Sequence, residues 1–144
     1  MFKRRGFTLM EILVNLAIGL ILVGLAVYAT SHFIENRDLE AVSDTLVSYL
    51  RSAEARAIQS EGDTSHGVST AGSKITLFRG TSYASRTTAY DTTLPYDSYI
   101  HFSGISEVVF AKQTGLPSAT GTITVTNGIK STIITIYSTG AISW

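Results

Sequence analysis

The sequence predicts an α+β protein in which a long N-terminal helix packs on a small antiparallel C-terminal β-sheet domain. Residues 12–34 carry no formally charged side chain and are dominated by Leu, Ile, Val, Ala and Gly. Residues 39–57 then continue as an amphipathic helix, with apolar side chains at helical spacing. From residue 63 onward the composition shifts to Thr, Ser, Gly, Tyr and Ile, and segments of alternating polarity indicate half-buried strands.

Composition and charge exclude several classes of protein. The chain of 144 residues has 11 basic and 11 acidic residues and no cysteine. It has about the length of one domain, and it cannot form a disulfide, bind zinc through thiolates or use a cysteine nucleophile. The balanced charge gives no overall reason to expect nucleic-acid binding.

The N-terminus combines a basic cluster with an apolar run. Lys3, Arg4 and Arg5 precede the 23 uncharged residues at 12–34. About 20 apolar residues span the hydrocarbon core of a bilayer, and the cations predict a cytoplasmic N-terminus. A cleaved secretory signal peptide also begins with positive charge, but its apolar region is normally about 7–15 residues long. The longer run here, with Asn15 near its start, favours a helix that spans the lipid bilayer.

Glu11 is the unusual residue of this segment, because apolar side chains flank it on both sides. A carboxylate near the lipid core is costly, and such residues usually mark a partner or a function. Its side chain either reaches back to the interface or binds a cation, of which the simplest is the α-amino group of a neighbouring copy. The second interpretation requires cleavage of the chain just before Phe7.

A basic leader and a long apolar run flank the hexapeptide Gly6-Phe7-Thr8-Leu9-Met10-Glu11. This arrangement resembles the type IV prepilin signature. The resemblance implies that a prepilin peptidase cleaves after Gly6 and methylates the new N-terminal Phe7. It also implies that Glu11 pairs with the N-terminus of a neighbouring subunit during filament assembly. The expected partners are the prepilin peptidase, other pilin or pseudopilin subunits in a homo- or heteropolymer, and an inner-membrane assembly platform.

The same resemblance implies a pilin fold and a structural, non-enzymatic role in a type IV pilus-like filament. It places the chain in the bacterial inner membrane as a single-pass protein, and later in a periplasmic or extracellular filament. Many pilins carry a proline in the membrane half of the helix, where this chain has Tyr28. This difference favours a minor pilin or a pseudopilin, in type IV pilus assembly or type II secretion. The alternatives are a major pilin of the filament shaft and a single-pass anchored binding domain that does not polymerise.

The second half of the predicted helix has one apolar face. Its residues are spaced 3, 4, 4, 3 and 4 apart and are Leu39, Val42, Leu46, Leu50, Ala53 and Ala57. No proline interrupts the chain up to Gly62, which is a candidate C-cap. The predicted segments are a leader at 1–6, a helix at 7–62 (7–34 in the membrane or filament core, 35–62 amphipathic) and a globular β domain at 63–144.

The C-terminal part contains several predicted strands. They are residues 74–79, 98–102, 106–111, 121–126, 132–137 and 141–144. Asn127-Gly128 predicts a type I′ turn between two of them, because that turn needs positive φ at both positions. The stretch from Gly80 to Pro95 has no clear period and is interpreted as an exposed loop or edge.

A second, more diffuse resemblance concerns the later part of the chain. It involves residues 51–58 in the helix, Val109-Phe110, Gly115, residues 121–125, residues 134–136 and Thr139-Gly140. In order and spacing these are similar to the H-type pseudopilins and related minor pilins. Some of those relatives bind DNA through basic residues near the C-terminus. Here Ala141 stands where an arginine is common, and Lys130 is the only cation after Lys112. DNA is therefore not an expected partner.

We expect no catalytic, cofactor or metal site. His32, His66 and His101 are scattered and are interpreted as surface or interface side chains. Asp91 and Asp97 lie in a predicted loop and could bind Ca²⁺, as loops of some pseudopilins do. They lack the dense ligand pattern of a calcium loop and are interpreted as solvated turn residues. The sequence has no Gly-x-Ser-x-Gly motif and no phosphate-binding glycine loop, so an enzyme is not expected.

Overall fold

The computed structural model describes the backbone of residues 8–144 and the side chains of residues 8–28 and 36–144. This part of the chain begins with helix α1 (Leu9–Ile58) and continues with short strands, which confirms the predicted α+β class. The strands are β1 (His66–Ser69), β2 (Lys74–Arg79), β3 (Thr92–Pro95), β4 (His101–Gly104), β5 (Glu107–Phe110), β6 (Gly121–Thr126), β7 (Ser131–Ile136) and β8 (Ile142–Ser143). The chain forms two compact units, and the boundary in the sequence falls between Glu35 and Asn36.

The first unit contains the apolar part of α1. Among the described residues, Leu9–Tyr28 is the helical segment that is long and apolar enough to cross a membrane. Its large apolar side chains are exposed in the single chain, from 46% for Val14 to 77% for Leu9. Such a surface needs lipid or other apolar helices around it, because contiguous apolar area exposed to water is unfavourable.

The second unit begins with the amphipathic part of α1, and its predicted buried face is confirmed. All six residues of that face are at most 8% exposed. The helix ends at Ile58, four residues before the expected position at Gly62. In the last hydrogen bonds of the helix, the backbone N–H of Gln59 donates to the carbonyl of Ala55, and that of Ser60 donates to the carbonyl of Ala57. Ser60 itself adopts the left-handed conformation, with φ 54°. Ser60 therefore stops the helix, and Gly62 lies in a following 3₁₀ turn.

Two antiparallel sheets of four strands each form the β domain, where the sequence predicted one. The strand order is β3-β2-β1-β5 in the first sheet and β4-β6-β7-β8 in the second. β2 and β6 have the predicted bounds, and β5, β7 and β8 differ from prediction by one residue at an end or at both ends. β4 begins at His101 rather than at residue 98. The strands β1 and β3 were not predicted as strands.

The turn between β6 and β7 differs from the predicted type I′ turn. The loop has four residues, 127–130, because Thr126 pairs with Ser131 in the ladder. Within this fully described loop, positive φ occurs at Gly128 and not at Asn127. The side chain of Asn127 stabilises this loop instead, since its Oδ1 accepts bonds from the backbone N–H groups of Ile129 (3.0 Å) and Lys130 (2.8 Å).

One hydrophobic core joins the amphipathic part of α1 to both sheets. Its members come from α1 (Leu39, Val42, Leu46, Val47, Leu50, Ala53, Ala57), from the first sheet (Val68, Ile75, Leu77, Val108, Phe110) and from the second sheet with the segment before it (Ile100, Ile123, Val125, Ile134, Ile136). The helix thus supplies the apolar surface that a β domain of this size needs for stability.

Candidate functional site

The start of α1 is built around Thr8 and Glu11. The side-chain Oγ1 of Thr8 accepts a bond from the backbone N–H of Glu11 at 3.3 Å, and the carbonyl of Thr8 accepts the first helical bond, from Ile12. Thr8 is therefore the N-cap of the helix. The sequence Thr8-Leu9-Met10-Glu11 has the Thr-x-x-Glu spacing of a capping box, a signal from which this role of Thr8 was predictable.

Glu11 lies in the first turn of α1 and is exposed. A carboxylate here interacts favourably with the positive end of the helix dipole. The side chains around it are apolar and also exposed, among them Leu9, Met10 and Ile12. Glu11 is thus a single acidic group on an apolar helical surface, so any apolar environment that covers this surface also encloses the charge.

The other residues predicted for processing lie outside the described residues. They are the leader cations Lys3, Arg4 and Arg5, the cleavage position Gly6 and the methylation position Phe7. The structure therefore places Glu11 and the N-cap of α1, while the processing site stays a prediction from the sequence.

Comparison with protein families gives one match, to the model described as "Prokaryotic N-terminal methylation motif", over residues 1–27. Over these residues the chain is type IV pilin-like. The match includes Gly6, Phe7 and Glu11, so it covers the segment on which the prepilin resemblance was based. Comparison with curated proteins and with solved structures gave no match.

The methylation motif indicates a prepilin that is processed by a peptidase and polymerises as a pilin-like structural subunit. Together with the apolar part of α1, it is consistent with attachment to a membrane. The motif does not extend beyond residue 27, so the H-type subgroup is not confirmed.

The β domain and the end of α1 bring together residues from the second resemblance. The side chain of Glu54 in α1 lies against two glycines from distant parts of the chain, Gly115 and Gly140. A Cβ on Gly140 would lie 2.7 Å from Glu54 Oε1, and a Cβ on Gly115 would lie 2.7 Å from Cγ1 of Ile58. Both glycines also have positive φ, 66° at Gly115 and 92° at Gly140. Their roles are therefore steric and conformational: they allow two loops to approach the last turns of α1.

One of the three histidines does not lie as predicted. His66, expected at a surface or an interface, is buried in β1 with 2% exposure, because β1 lies between β2 and β5. Burial is the main cause that lowers the pKa of His66, while Glu61 acts in the opposite direction. His101 is exposed on β4, and the side chain of His32 lies outside the described residues. Among the described residues, no group of three or more His, Cys, Asp and Glu side chains could hold a metal ion.

The two aspartates considered as calcium ligands have other partners. Asp91 accepts a bond from Arg86 Nε at 2.8 Å, and both side chains of this ion pair are largely buried. Arg86 also donates to the carbonyl of Tyr83 at 2.6 Å and lies over the ring of Tyr83. These contacts fix the loop that follows β2, and they explain how a segment without sequence period has a defined conformation. Asp97 instead lies beside Tyr99, with Oδ2 3.3 Å from the phenol oxygen.

Proposed function

We propose that this chain is a subunit of a type IV pilus-like filament, specifically a minor pilin or a pseudopilin, and that it polymerises through its N-terminal helix. The observation that carries the proposal is the methylation motif at residues 1–27, which contains nearly all of the exposed apolar helical segment Leu9–Tyr28. The motif supplies the processing step, and the helix supplies a surface that lipid covers before assembly and other subunits cover afterwards.

Cleavage changes the charge of the chain. Removal of Lys3, Arg4 and Arg5 from the 11 basic residues leaves 8, against 11 acidic residues. Before cleavage the cations hold the N-terminus on the cytoplasmic side of the bacterial inner membrane. After cleavage by prepilin peptidase, the apolar helix can move from lipid into a filament core of similar polarity, with an inner-membrane assembly platform driving the movement.

Glu11 then selects the register of the helices in the filament. An unpaired charge in apolar surroundings is strongly unfavourable, whereas the same charge with a cationic partner is tolerated. The methylated α-amino group of Phe7 in a neighbouring subunit is a cation that reaches the depth of Glu11 when that subunit is shifted by about one helical turn, because Phe7 and Glu11 are four residues apart in the sequence. Helices packed in any other register leave both charges without a partner.

The first test is the N-terminal mass spectrum of the protein purified from its native membranes. We expect a chain that begins at N-methylated Phe7 and has lost residues 1–6. Substitution Gly6→Leu should leave the leader attached, because the peptidase cleaves after the glycine. An intact N-terminus in cells with an active prepilin peptidase would contradict the proposal and support an anchored domain that does not polymerise.

The second test concerns assembly. Glu11→Gln keeps the size of the side chain and removes its charge, so we expect normal membrane insertion and cleavage but loss of the protein from sheared filaments. Glu40→Gln is the matched control, because Glu40 is an exposed acid further along the same helix. Wild-type amounts of the Glu11→Gln protein in filaments would refute the register argument. The amount of wild-type subunit relative to the filament mass separates a minor from a major pilin.

A further inference from the structure

A groove lies on the second unit of the chain, between α1 and the segment that follows β3. Its volume is about 350 Å³. The walls are mostly apolar and include Val42 of α1, Leu94, Pro95 and Ile100.

One end of this groove is acidic. The phenol oxygen of Tyr99 lies 2.5 Å from Asp38 Oδ2 and 3.3 Å from Asp97 Oδ2. A phenol has one proton, so it can donate a hydrogen bond to one carboxylate at a time. The other carboxylate then lies beside the phenol oxygen with no proton between the two oxygen atoms. The hydrogen bond to Asp38, with burial and both negative charges, raises the pKa of Tyr99 above its usual value. The end of the groove therefore carries two negative charges around a neutral phenol and is suited to a cation.

The groove thus fits a lysine side chain. The methylene groups of a lysine can lie along apolar walls while the ammonium group reaches a polar end. An ammonium group has three donors, which is enough for both carboxylates and for the phenol oxygen as a third acceptor.

The same unit presents a lysine that meets this description. Lys130 is exposed at the turn between β6 and β7, next to Ile129, which is 61% exposed. The side chain of Asn127 holds the backbone of this turn, as described above. Asn127 Nδ2 also donates to Asn36 Oδ1 of α1 at 3.3 Å, so the turn is fixed against the helix.

The turn and the groove lie at the same level of α1 but on different sides. The turn contacts the helix at Asn36 and the acidic end of the groove contacts it at Asp38. Two residues correspond to about 200° of rotation and about 3 Å of rise in an α-helix. The two features therefore lie on opposite flanks of the helix at nearly equal height, and copies placed side by side can join turn to groove.

We propose that Lys130 of one copy binds in the groove of a second copy, with its ammonium group between Asp38 and Asp97. The contact joins two different surfaces, so it does not close on itself in a pair and can continue from copy to copy, as a helical filament requires. This inference rests on the polymerisation step of the proposed function and requires neighbouring copies of this chain, so among the proposed roles it fits a pseudopilin that repeats along the filament. It adds to the contact between N-terminal helices a second contact between the β domains. The contact also gives the row of copies a direction, because each copy offers Lys130 to one neighbour and the groove to the other.

Cysteine cross-linking tests the contact directly, because the chain has no cysteine of its own. The exposed residues Ser131 and Ser98 neighbour Lys130 and Asp97, so Ser131→Cys with Ser98→Cys places thiols beside the contact without removing its charges. In sheared filaments a short bis-maleimide should give a ladder of dimers, trimers and longer products. The control pair Ser131→Cys with Thr139→Cys, also exposed, should give no ladder. An absent ladder, or equal ladders from both pairs, would overturn the inference.

Charge exchange is the second test. Lys130→Glu alone and Asp97→Lys alone should each lower the amount of the chain in filaments by about tenfold, the order expected when one partner of an interface ion pair is lost. The double variant Lys130→Glu/Asp97→Lys should recover most of that loss, whereas a merely structural role of either residue predicts additive defects. Additive defects would overturn the inference.

The two proposals fail in different ways. A Ser131→Cys/Ser98→Cys chain that enters filaments but gives no cross-linked ladder contradicts the groove contact and leaves the proposed function intact. A wild-type chain that keeps its leader and is absent from filaments contradicts the proposed function itself.

Discussion

Alanine at Gly115 is expected to weaken the attachment of the β domain to the end of α1. Gly115 has φ 66°, and an added Cβ would lie 2.7 Å from Cγ1 and 2.9 Å from Cδ1 of Ile58. The position also has a fixed backbone, because the N–H of Gly115 donates to the carbonyl of Ala111 at 2.9 Å. The substitution thus combines a backbone conformation that alanine disfavours with a steric collision.

The expected loss of stability follows from these two effects. The left-handed conformation costs an alanine about 1–2 kcal/mol. Overpacking costs typically about 1–3 kcal/mol, and the lower end applies here, because Ile58 is 50% exposed and its side chain can move toward solvent. We therefore expect Gly115→Ala to lower the free energy of unfolding by about 2–3 kcal/mol.

Two other glycines separate the effects. Gly128 has φ 85° and open space around an added Cβ, so Gly128→Ala should cost only the conformational part, about 1–2 kcal/mol. Gly67 has an ordinary φ, but its Cβ would lie 2.6 Å from Cζ of Phe78 and 2.7 Å from the carbonyl oxygen of Val108. A backbone oxygen inside a sheet cannot move aside, so Gly67→Ala should cost about 3 kcal/mol or more through collision alone.

The assay is urea denaturation of the full chain in detergent, followed by the fluorescence of Trp144, the only tryptophan. The guanidinium of Arg51 in α1 lies 4.5 Å from the centre of the Trp144 ring, so the signal reports separation of the C-terminus from the helix. The order Gly67→Ala, Gly115→Ala, Gly128→Ala, from largest to smallest loss, supports the reasoning. Equal losses for Gly115→Ala and Gly128→Ala would show that the contact with Ile58 carries no free energy and would refute it.

The other predictions concern pH and the loop after β2. Burial lowers the pKa of His66 in the folded chain, so the unfolded chain binds a proton at this histidine more readily than the folded chain does. The contribution of His66 to the free energy of unfolding is therefore fully present above the usual histidine pKa of 6.5 and is lost as the pH falls below it. Between pH 8 and pH 5 the melting temperature should therefore fall more in the wild type than in His66→Gln, while the exposed-site control His101→Gln should follow the wild type. For Arg86→Lys we expect faster exchange of the backbone amide hydrogens in residues 81–90. A lysine lacks the forked guanidinium with which Arg86 donates to both Asp91 and the carbonyl of Tyr83. Unchanged exchange in these residues would contradict the role of the two bonds.

The helix was predictable because its pattern repeats over many residues. The buried positions of α1 follow the 3.6-residue period for five turns, and a long uncharged run has few structural alternatives. The end of the helix was less predictable, since Ser60 has no preference for the left-handed conformation that it adopts. Contacts of the following turn with the rest of the unit decide that conformation, such as the bond from the guanidinium of Arg79 to the carbonyl of Gly62.

The missed strands show where local pattern fails. All four residues of β1 are buried, because the strand has a neighbour on each side and the helix and loops cover its faces, so the sequence His-Gly-Val-Ser shows no alternation. β3 is a largely exposed edge strand that ends in Pro95, and proline is rare in strands other than edges. Both assignments depend on neighbours that are distant in sequence. The placement of the Lys130 turn and the acidic groove on opposite flanks of α1 was unpredictable for the same reason, since no local signal connects residues 38, 97 and 130.

In the proposed function, Glu11 is the residue on which the difference between an anchor and a polymer depends. A helix that only anchors a domain needs apolar side chains and gains nothing from a carboxylate among them, since the charge opposes burial in lipid. The described part of α1 has an effective N-cap in Thr8, so Glu11 is not required to begin the helix. What a carboxylate at this position can add is specificity: it penalises every helix arrangement in which no cation faces it. A neutral Glu11→Gln chain that remains inserted and processed but fails to assemble would isolate that contribution from the apolar attraction of the same helix.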